Sequence, residues 1–233
     1  FCYDVGYIIF SDNTQEIVER KHFVIEQIWH NSPLFSTAYY AEKRPLYVTL
    51  MRQHKTIMSK WGYVMREMIR DIKKYCITDM YAFNSDFDEK VFNFNCDWFK
   101  TNNPLDTVAI HDIWGYSSEF ITSTDEYKTF CETHDRFTDT GNYHGNAETV
   151  YQFITNTPDF IEKHMGVFDS DIEGEILFYC LNNGAKLATD YKVNRYLTRN
   201  IPHPYKVVVN GETIHEGDYI RKTIRNDEYR FIE

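Results

Sequence analysis

Ile57-Met58-Ser59-Lys60-Trp61-Gly62-Tyr63-Val64-Met65-Arg66-Glu67-Met68-Ile69-Arg70-Asp71-Ile72-Lys73-Lys74-Tyr75-Cys76, followed closely by Asp79-Met80-Tyr81-Ala82-Phe83-Asn84, is the stretch from which the fold is read. Apolar side chains fall at Ile57, Trp61, Val64, Met65, Met68, Ile69, Ile72 and Tyr75, with Arg66, Glu67, Arg70, Asp71, Lys73 and Lys74 on the other side. That spacing predicts an amphipathic helix from Ile57 to Cys76. The run from Asp79 to Asn84 reads as a short buried strand, and the segment after Phe87 turns helical through Val91 and Phe92. Upstream, residues 2–10 are rich in β-formers, Ser11-Asp12-Asn13 supplies turn chemistry, and Ile17 to Ile25 alternates apolar and polar residues. An antiparallel hairpin is expected there. Strand, long helix and strand in succession imply a crossover, so the class is α/β, a mixed β-sheet flanked by helices.

Farther along, Pro104-Leu105-Asp106-Thr107 opens a segment of undecided type that runs through Ile110 to Trp114. Tyr116 to Asn146 is polar and punctuated by Gly141 and Gly145, which reads as surface loops and short helices. Asn146 is placed to cap a short helix through Val150, Tyr151, Phe153 and Ile154. A last helix is expected from about Asp169 through Ile172, Ile176, Leu177 and Cys180, ending near Asn183-Gly184. Beyond Tyr191, the Tyr205–Val209 run, the Asn210-Gly211 turn and the Thr213–His215 run predict a C-terminal β-hairpin extension. The chain thus divides into a main domain, residues 1–190, and an extension, residues 191–233.

At 233 residues, 42% of them hydrophobic and 26% charged, the composition is that of an ordinary globular protein. The net charge of −10 counts against a generic coat for long duplex DNA, whose binding rests on neutralising phosphates. Short basic clusters at Arg195 to Arg199 and Arg221 to Arg225 read as solvated faces. The 17% aromatic content points first to ring-rich packing and second to stacking surfaces for bases. The odd number of cysteines, 5, without C-x-x-C spacing reads as free thiols in a reducing cytoplasm, with no zinc site. No apolar run reaches membrane-spanning length.

Chemistry concentrates in two motifs. Asn84-Ser85-Asp86-Phe87-Asp88 follows a predicted strand, and strand ends of open α/β sheets are where ligands collect. Asp88 is the candidate metal-binding carboxylate there, with Asn84 and Phe87 as candidate substrate contacts. The alternative is that Asp86 or Asp88 simply caps the next helix. In Glu162-Lys163-His164-Met165-Gly166-Val167-Phe168-Asp169-Ser170-Asp171-Ile172-Glu173, a histidine stands five residues before an aspartate that opens a helix. An imidazole titrates near neutrality and can accept a proton from water, and a carboxylate at a helix start can hold a hard divalent cation. The bland alternative is a surface histidine and a capping aspartate.

The order of these motifs resembles the DnaQ-like (DEDDh) 3′–5′ exonucleases, and within them the bacteriophage-encoded subgroup. Asn146-Ala147-Glu148-Thr149-Val150-Tyr151 paired with His164-Met165-Gly166-Val167-Phe168-Asp169 carries the likeness, with Tyr3-Asp4-Val5-Gly6-Tyr7-Ile8-Ile9-Phe10 and Ala38-Tyr39-Tyr40-Ala41-Glu42-Lys43 beside it. The resemblance covers residues 3 to 182 and implies a ribonuclease H-like fold. It implies Asp88 and Asp169 as ligands for Mg²⁺ or Mn²⁺, His164 as general base, and two ions about 3.5–4 Å apart. The implied reaction releases nucleoside 5′-monophosphates from the 3′ end of single-stranded DNA or RNA, in a cytoplasm that is the host's if the chain is phage-encoded. The family's first motif, D-x-E on an opening strand, normally lies just upstream of where this sequence starts; neither Asp4, Asp12 nor Glu16 replaces it in the pattern, so either it precedes Phe1 or this homologue lacks it. The expectation is therefore an impaired two-metal site. The competing reading is an inactive nucleic-acid-binding or interaction module of the same fold. A third is a structural or host-interaction protein in which these residues are incidental.

Overall fold

The structure is a computed structural model that describes residues 1–36, 41–199, 202–209 and 212–220. Its elements run β1 (Asp4–Phe10), β2 (Ile17–Ile25), α1 (Glu26–Trp29), α2 (Ser32–Ser36), α3 (Arg44–Arg52), β3 (Ile57–Ser59), α4 (Trp61–Tyr75), β4 (Asp79–Ala82) and α5 (Ser85–Phe99), followed by β5 (Ala109–Asp112), α6 (Ile113–Ser117), α7 (Asp125–Thr133), α8 (Ala147–Thr155), α9 (Gly166–Asn182), β6 (Pro202–Val209) and β7 (Glu212–Ile220). The class is mixed α/β. Its strands fall into separate ladders: β1-β2-β3, β4-β5 and β6-β7.

The opening hairpin forms as its alternation predicts, with β1 antiparallel to β2 from Asp4↔Val24 to Phe10↔Ile17. The outer half of β2 alternates in exposure, whereas His22, Phe23, Val24 and Ile25 are buried in succession. There β3 joins along the edge of β2 in parallel at Phe23↔Ile57, and Phe23, Val24 and Ile25 pack in a core with Ile28, Tyr47, Trp61 and Met65 from the helices. Ile57 to Ser59, expected as the first turn of the long helix, is that strand, and the helix begins at Trp61. Tertiary pairing with β2 wins over helical spacing at the end of the pattern. The helix ends at Cys76, in the left-handed conformation (φ 52°), with Lys73 and Lys74 in its last turn.

Two acids assigned to the polar face of α4 are buried instead, Glu67 and Asp71. Asp71 Oδ2 accepts hydrogen bonds from Tyr7 Oη at 2.7 Å and from Lys21 Nζ at 2.5 Å. Glu67 is engaged by Lys21 and Arg70. The strand hairpin therefore brings its own cation to this helix face, which a reading of the helix alone could not anticipate.

The chain passes from β3 through α4 to β4, which lies in a separate ladder and pairs in parallel with β5 from Asp79↔Ala109 to Ala82↔Asp112, so the expected crossover within one mixed sheet is not formed among the described residues. The undecided segment after Pro104 is thus a 3₁₀ turn (Pro104–Thr107) and a strand. Tyr116 to Asn146 corrects the surface reading: Tyr116, Ile121, Tyr127 and Cys131 are fully buried in a core shared with Val150, Ile172, Ile176 and Leu177. The exposed Glu119, Asp125, Glu126, Thr129 and Glu132 between them made the segment look polar on average. Asn146 caps α8 as expected, its side chain accepting the Thr149 N–H at 3.2 Å.

Strand β1 and helix α9 approach closely. A Cβ on Gly6 would lie 1.9 Å from Val167 N, and one on Gly166 would lie 2.5 Å from Gly6 N. Backbone meets backbone here, so only glycine fits. Helix α9 begins at Gly166, before the expected Asp169. The C-terminal hairpin is present, with a register shift between Val207 and Val208; its Asn210-Gly211 turn lies outside the described residues. So do Ala38-Tyr39-Tyr40 of the family likeness and the Arg221 to Arg225 cluster. Arg195 and Arg199, read as solvated, lie over the Trp114 and Phe137 rings respectively.

Candidate active site

Asp88 is set by a tight strand-to-helix junction. After β4, Asn84 takes the left-handed conformation (φ 64°, ψ 48°), which Asn tolerates better than most side chains. Its N–H donates to Asp112 Oδ1 at 2.8 Å, and the same oxygen accepts the Trp114 N–H at 2.9 Å. Asp112 thereby ties the end of β4 to the end of β5 and fixes where α5 starts. Asp86, in that first turn, turns outward to Lys90. Phe87 is 63% exposed, with the exposed Phe94 and Trp98 farther along the same helix.

Asp169 lies in the first turn of α9 and accepts the Met165 N–H on Oδ1 at 3.0 Å. One turn on, Glu173 Oε2 accepts the Phe83 N–H at 3.2 Å, joining α9 to the end of β4. This link carries Glu173 to the Asp88 junction. Burial pushes the Asp88 carboxyl up to about 6, aided by the negative charges of Asp112 and Asp169. Burial likewise raises Asp169 to about 6, with Asp4 contributing and Lys43 opposing. Glu173 is raised well above the ordinary range by burial and then by Asp88, Asp169 and Glu162.

The line of carboxyls continues outward. Glu162 is raised to about 7 by burial, then by the charges of Asp169 and Glu148. Glu148, in the first turn of α8, holds this loop through its Oε2, which accepts the Glu162 N–H at 2.7 Å. His164 has a left-handed backbone (φ 49°), a costly conformation for a residue other than glycine. Its Nδ1 stands 3.5 Å from Glu162 Oε2. Burial and the Lys43 charge lower its pKa, which favours the neutral imidazole. Lys43 itself donates to the Lys163 carbonyl at 2.6 Å, so a cation is pinned beside the loop.

Asp88, Asp169 and Glu173 thus lie near enough to feel one another's charge, while His164 stands at the Glu162–Glu148 end of the same acidic line. The donor atoms of Glu148, Glu162 and His164 all lie within 4.8 Å of one another. Cis ligands at about 2.1 Å from an ion are about 3 Å apart and trans ligands about 4.2 Å, so small rotations would close this set on a cation. Carboxylate oxygens with one imidazole suit Mn²⁺ or Mg²⁺ better than a thiolate-seeking metal. The fit is chemical: buried, mutually repelling carboxyls lose their penalty when a divalent cation replaces their protons.

Sequence reading missed the roles of Glu162, Glu173 and Asp112. Glu173 was within reach, since Asp169 and Glu173 are spaced i, i+4 and share a helix face. Asp112 and Glu162 carry no such local signal. No family model matches this chain, and no match is found among curated proteins or solved structures.

Proposed function

We propose that this chain is a divalent-cation-dependent phosphodiesterase that removes nucleotides from the 3′ end of single-stranded nucleic acid. The observation that carries the reading is a set of buried carboxyls from two separate helices, Asp88 on α5 and Asp169 and Glu173 on α9, raised by burial and further by one another's charge. Buried carboxyls of this kind favour a divalent cation in place of their protons. Asp88 and Asp169 would hold the ion, which would supply Lewis acidity and charge to offset a phosphodiester. His164 in its neutral form accepts the proton of the attacking water, with Glu162 at 3.5 Å orienting the ring through Nδ1. The exposed Phe87 ring, one residue from Asp88, offers a face for a terminal base. The ribonuclease H-like architecture belongs to the same proposal, resting on the parallel β4-β5 pair and on the β1-β2 hairpin against which α9 packs.

The 4.8 Å grouping of Glu148, Glu162 and His164 favours a second reading, in which the cation sits there and the imidazole is a ligand. A noncatalytic nucleic-acid-binding module is the third. The test is release of labelled nucleotide from 3′-end-labelled DNA and RNA strands with Mn²⁺, alongside Mn²⁺ titration. Slow, metal-dependent release that disappears in Asp169→Asn and His164→Ala, with Mn²⁺ binding kept in the latter, is the expected result. Loss of Mn²⁺ binding in His164→Ala selects the second reading. Strand binding without release selects the third. Equal release by both variants and the unaltered chain defeats the assignment.

A further inference from the structure

Three donors converge on the largely enclosed carboxylate of Asp4, at the first position of β1. His22 Nε2 meets Oδ1 at 2.6 Å, while Oδ2 accepts from Tyr47 Oη at 2.5 Å and from Gly166 N at 2.9 Å. The far side of the His22 ring is held as well, Nδ1 lying 2.5 Å from Thr56 Oγ1. His22 and Thr56 are buried, and the Asp4 side chain is 10% exposed. This carboxylate is therefore locked from two sides by groups that do not move with α9.

Its third bond goes to a helix end that lacks a cap of its own. Gly166 is the first residue of α9, and its N–H has no partner inside the helix. The residue before it, Met165, has no side-chain acceptor and makes no side-chain capping bond. Capping comes instead from two carboxylates: Asp169 takes the Met165 N–H at 3.0 Å, and Asp4 takes the Gly166 N–H. Immediately upstream stands His164 in its left-handed conformation. A strained residue persists only where its surroundings over-determine it.

We propose that Asp4 is a positioning residue: through Gly166 it fixes the backbone that presents His164 on one side and Asp169 on the other. What those two groups do rests on the phosphodiesterase reading, whereas the positional claim stands without it.

Hydrogen exchange in the unaltered chain gives a direct test. A first-turn amide ordinarily exchanges fast, but Gly166 N–H is expected to be protected like the helix interior. Exchange of Gly166 as fast as an exposed loop amide would overturn the proposal. Variants then separate position from stability. Asp4→Asn is expected to shift the Gly166 amide and His164 ring resonances and to lower kcat by about 10-fold or more, with KM within about twofold. Tyr47→Phe and Thr56→Val remove bonds from the same relay without touching Gly166. They are expected to lower Tm and leave those resonances and kcat in place. Equal effects of Asp4→Asn and Tyr47→Phe on both readouts would reduce Asp4 to an ordinary core group. If the unaltered chain releases no nucleotide, the phosphodiesterase reading fails and the exchange and resonance data alone decide the role of Asp4.

Discussion

Burial first, and then the charges of Asp112 and of Asp169, raise the carboxyl of Asp88, although Asp88 and Asp169 come from different helices, α5 and α9. Both stand at about 6 against an ordinary 3.8, and Glu162 stands at about 7 against 4.5. The sign follows from linkage. Raised folded-state values mean the folded chain holds protons that the unfolded chain releases, so the contribution is full below about 4 and lost as pH climbs through 6 to 7. The metal-free protein is therefore expected to lose thermal stability between pH 5 and pH 8. Mn²⁺ should have little effect at pH 5 and raise the midpoint at pH 8, since it takes the place of those protons. Asp88→Asn should flatten the pH slope. A melting midpoint equally pH-dependent in Asp88→Asn would detach the effect from this cluster.

Glu148 separates anchoring from charge. Its Oε2 accepts the Glu162 N–H at 2.7 Å and so ties the loop carrying Glu162 and His164 to α8. Glu148→Ala removes the acceptor of that bond and is expected to cost about 1–3 kcal/mol in urea unfolding. Glu148→Gln keeps a carbonyl acceptor in the same place and should cost less than half of that. If the carboxylate also serves the cation, Mn²⁺ affinity falls in both variants; if it serves only the loop, it falls in Glu148→Ala alone.

What could be read from the sequence was what local periodicity encodes. The hairpin of Asp4–Phe10 and Ile17–Ile25, the body of the Trp61–Tyr75 helix, the Asn146 cap and the Gly166–Asn182 helix each follow from neighbours in the chain. Asp88, His164 and Asp169 stood out because each sits beside a predicted element boundary. The failures are tertiary. Ile57–Ser59 is a strand because β2 lies alongside it, and Glu67 and Asp71 are buried because Lys21 reaches them from β2. Asp4 looked misplaced for chemistry, and its bond to Gly166 spans 162 residues. Glu162 and Glu148 meet only because a loop folds back on α8, which no spacing rule encodes.

The β1–α9 contact gives the sharpest test of the packing that places the site. A Cβ on Gly6 would lie 1.9 Å from Val167 N and 2.1 Å from Gly166 C, both backbone atoms that no side-chain rotation can clear. Gly6→Ala must push α9 off β1, and with it Gly166, Asp169 and Glu173. The expected cost is about 3 kcal/mol or more, the upper range for overpacking. Gly62 offers the control. It lies in the first turn of α4, and a Cβ there would meet only side-chain atoms, Thr101 Cγ2 at 3.5 Å and Arg66 Nη1 at 3.7 Å. Gly62→Ala should stabilise by about 0.4–1 kcal/mol, because alanine loses less conformational freedom on folding. The pair is read by urea unfolding midpoints, together with Mn²⁺ affinity at pH 8. Gly6→Ala should weaken both and Gly62→Ala neither. A Gly6→Ala protein as stable as the parent would show that α9 does not rest on β1 this closely, and the alignment of Asp169 with Asp88 would lose its foundation.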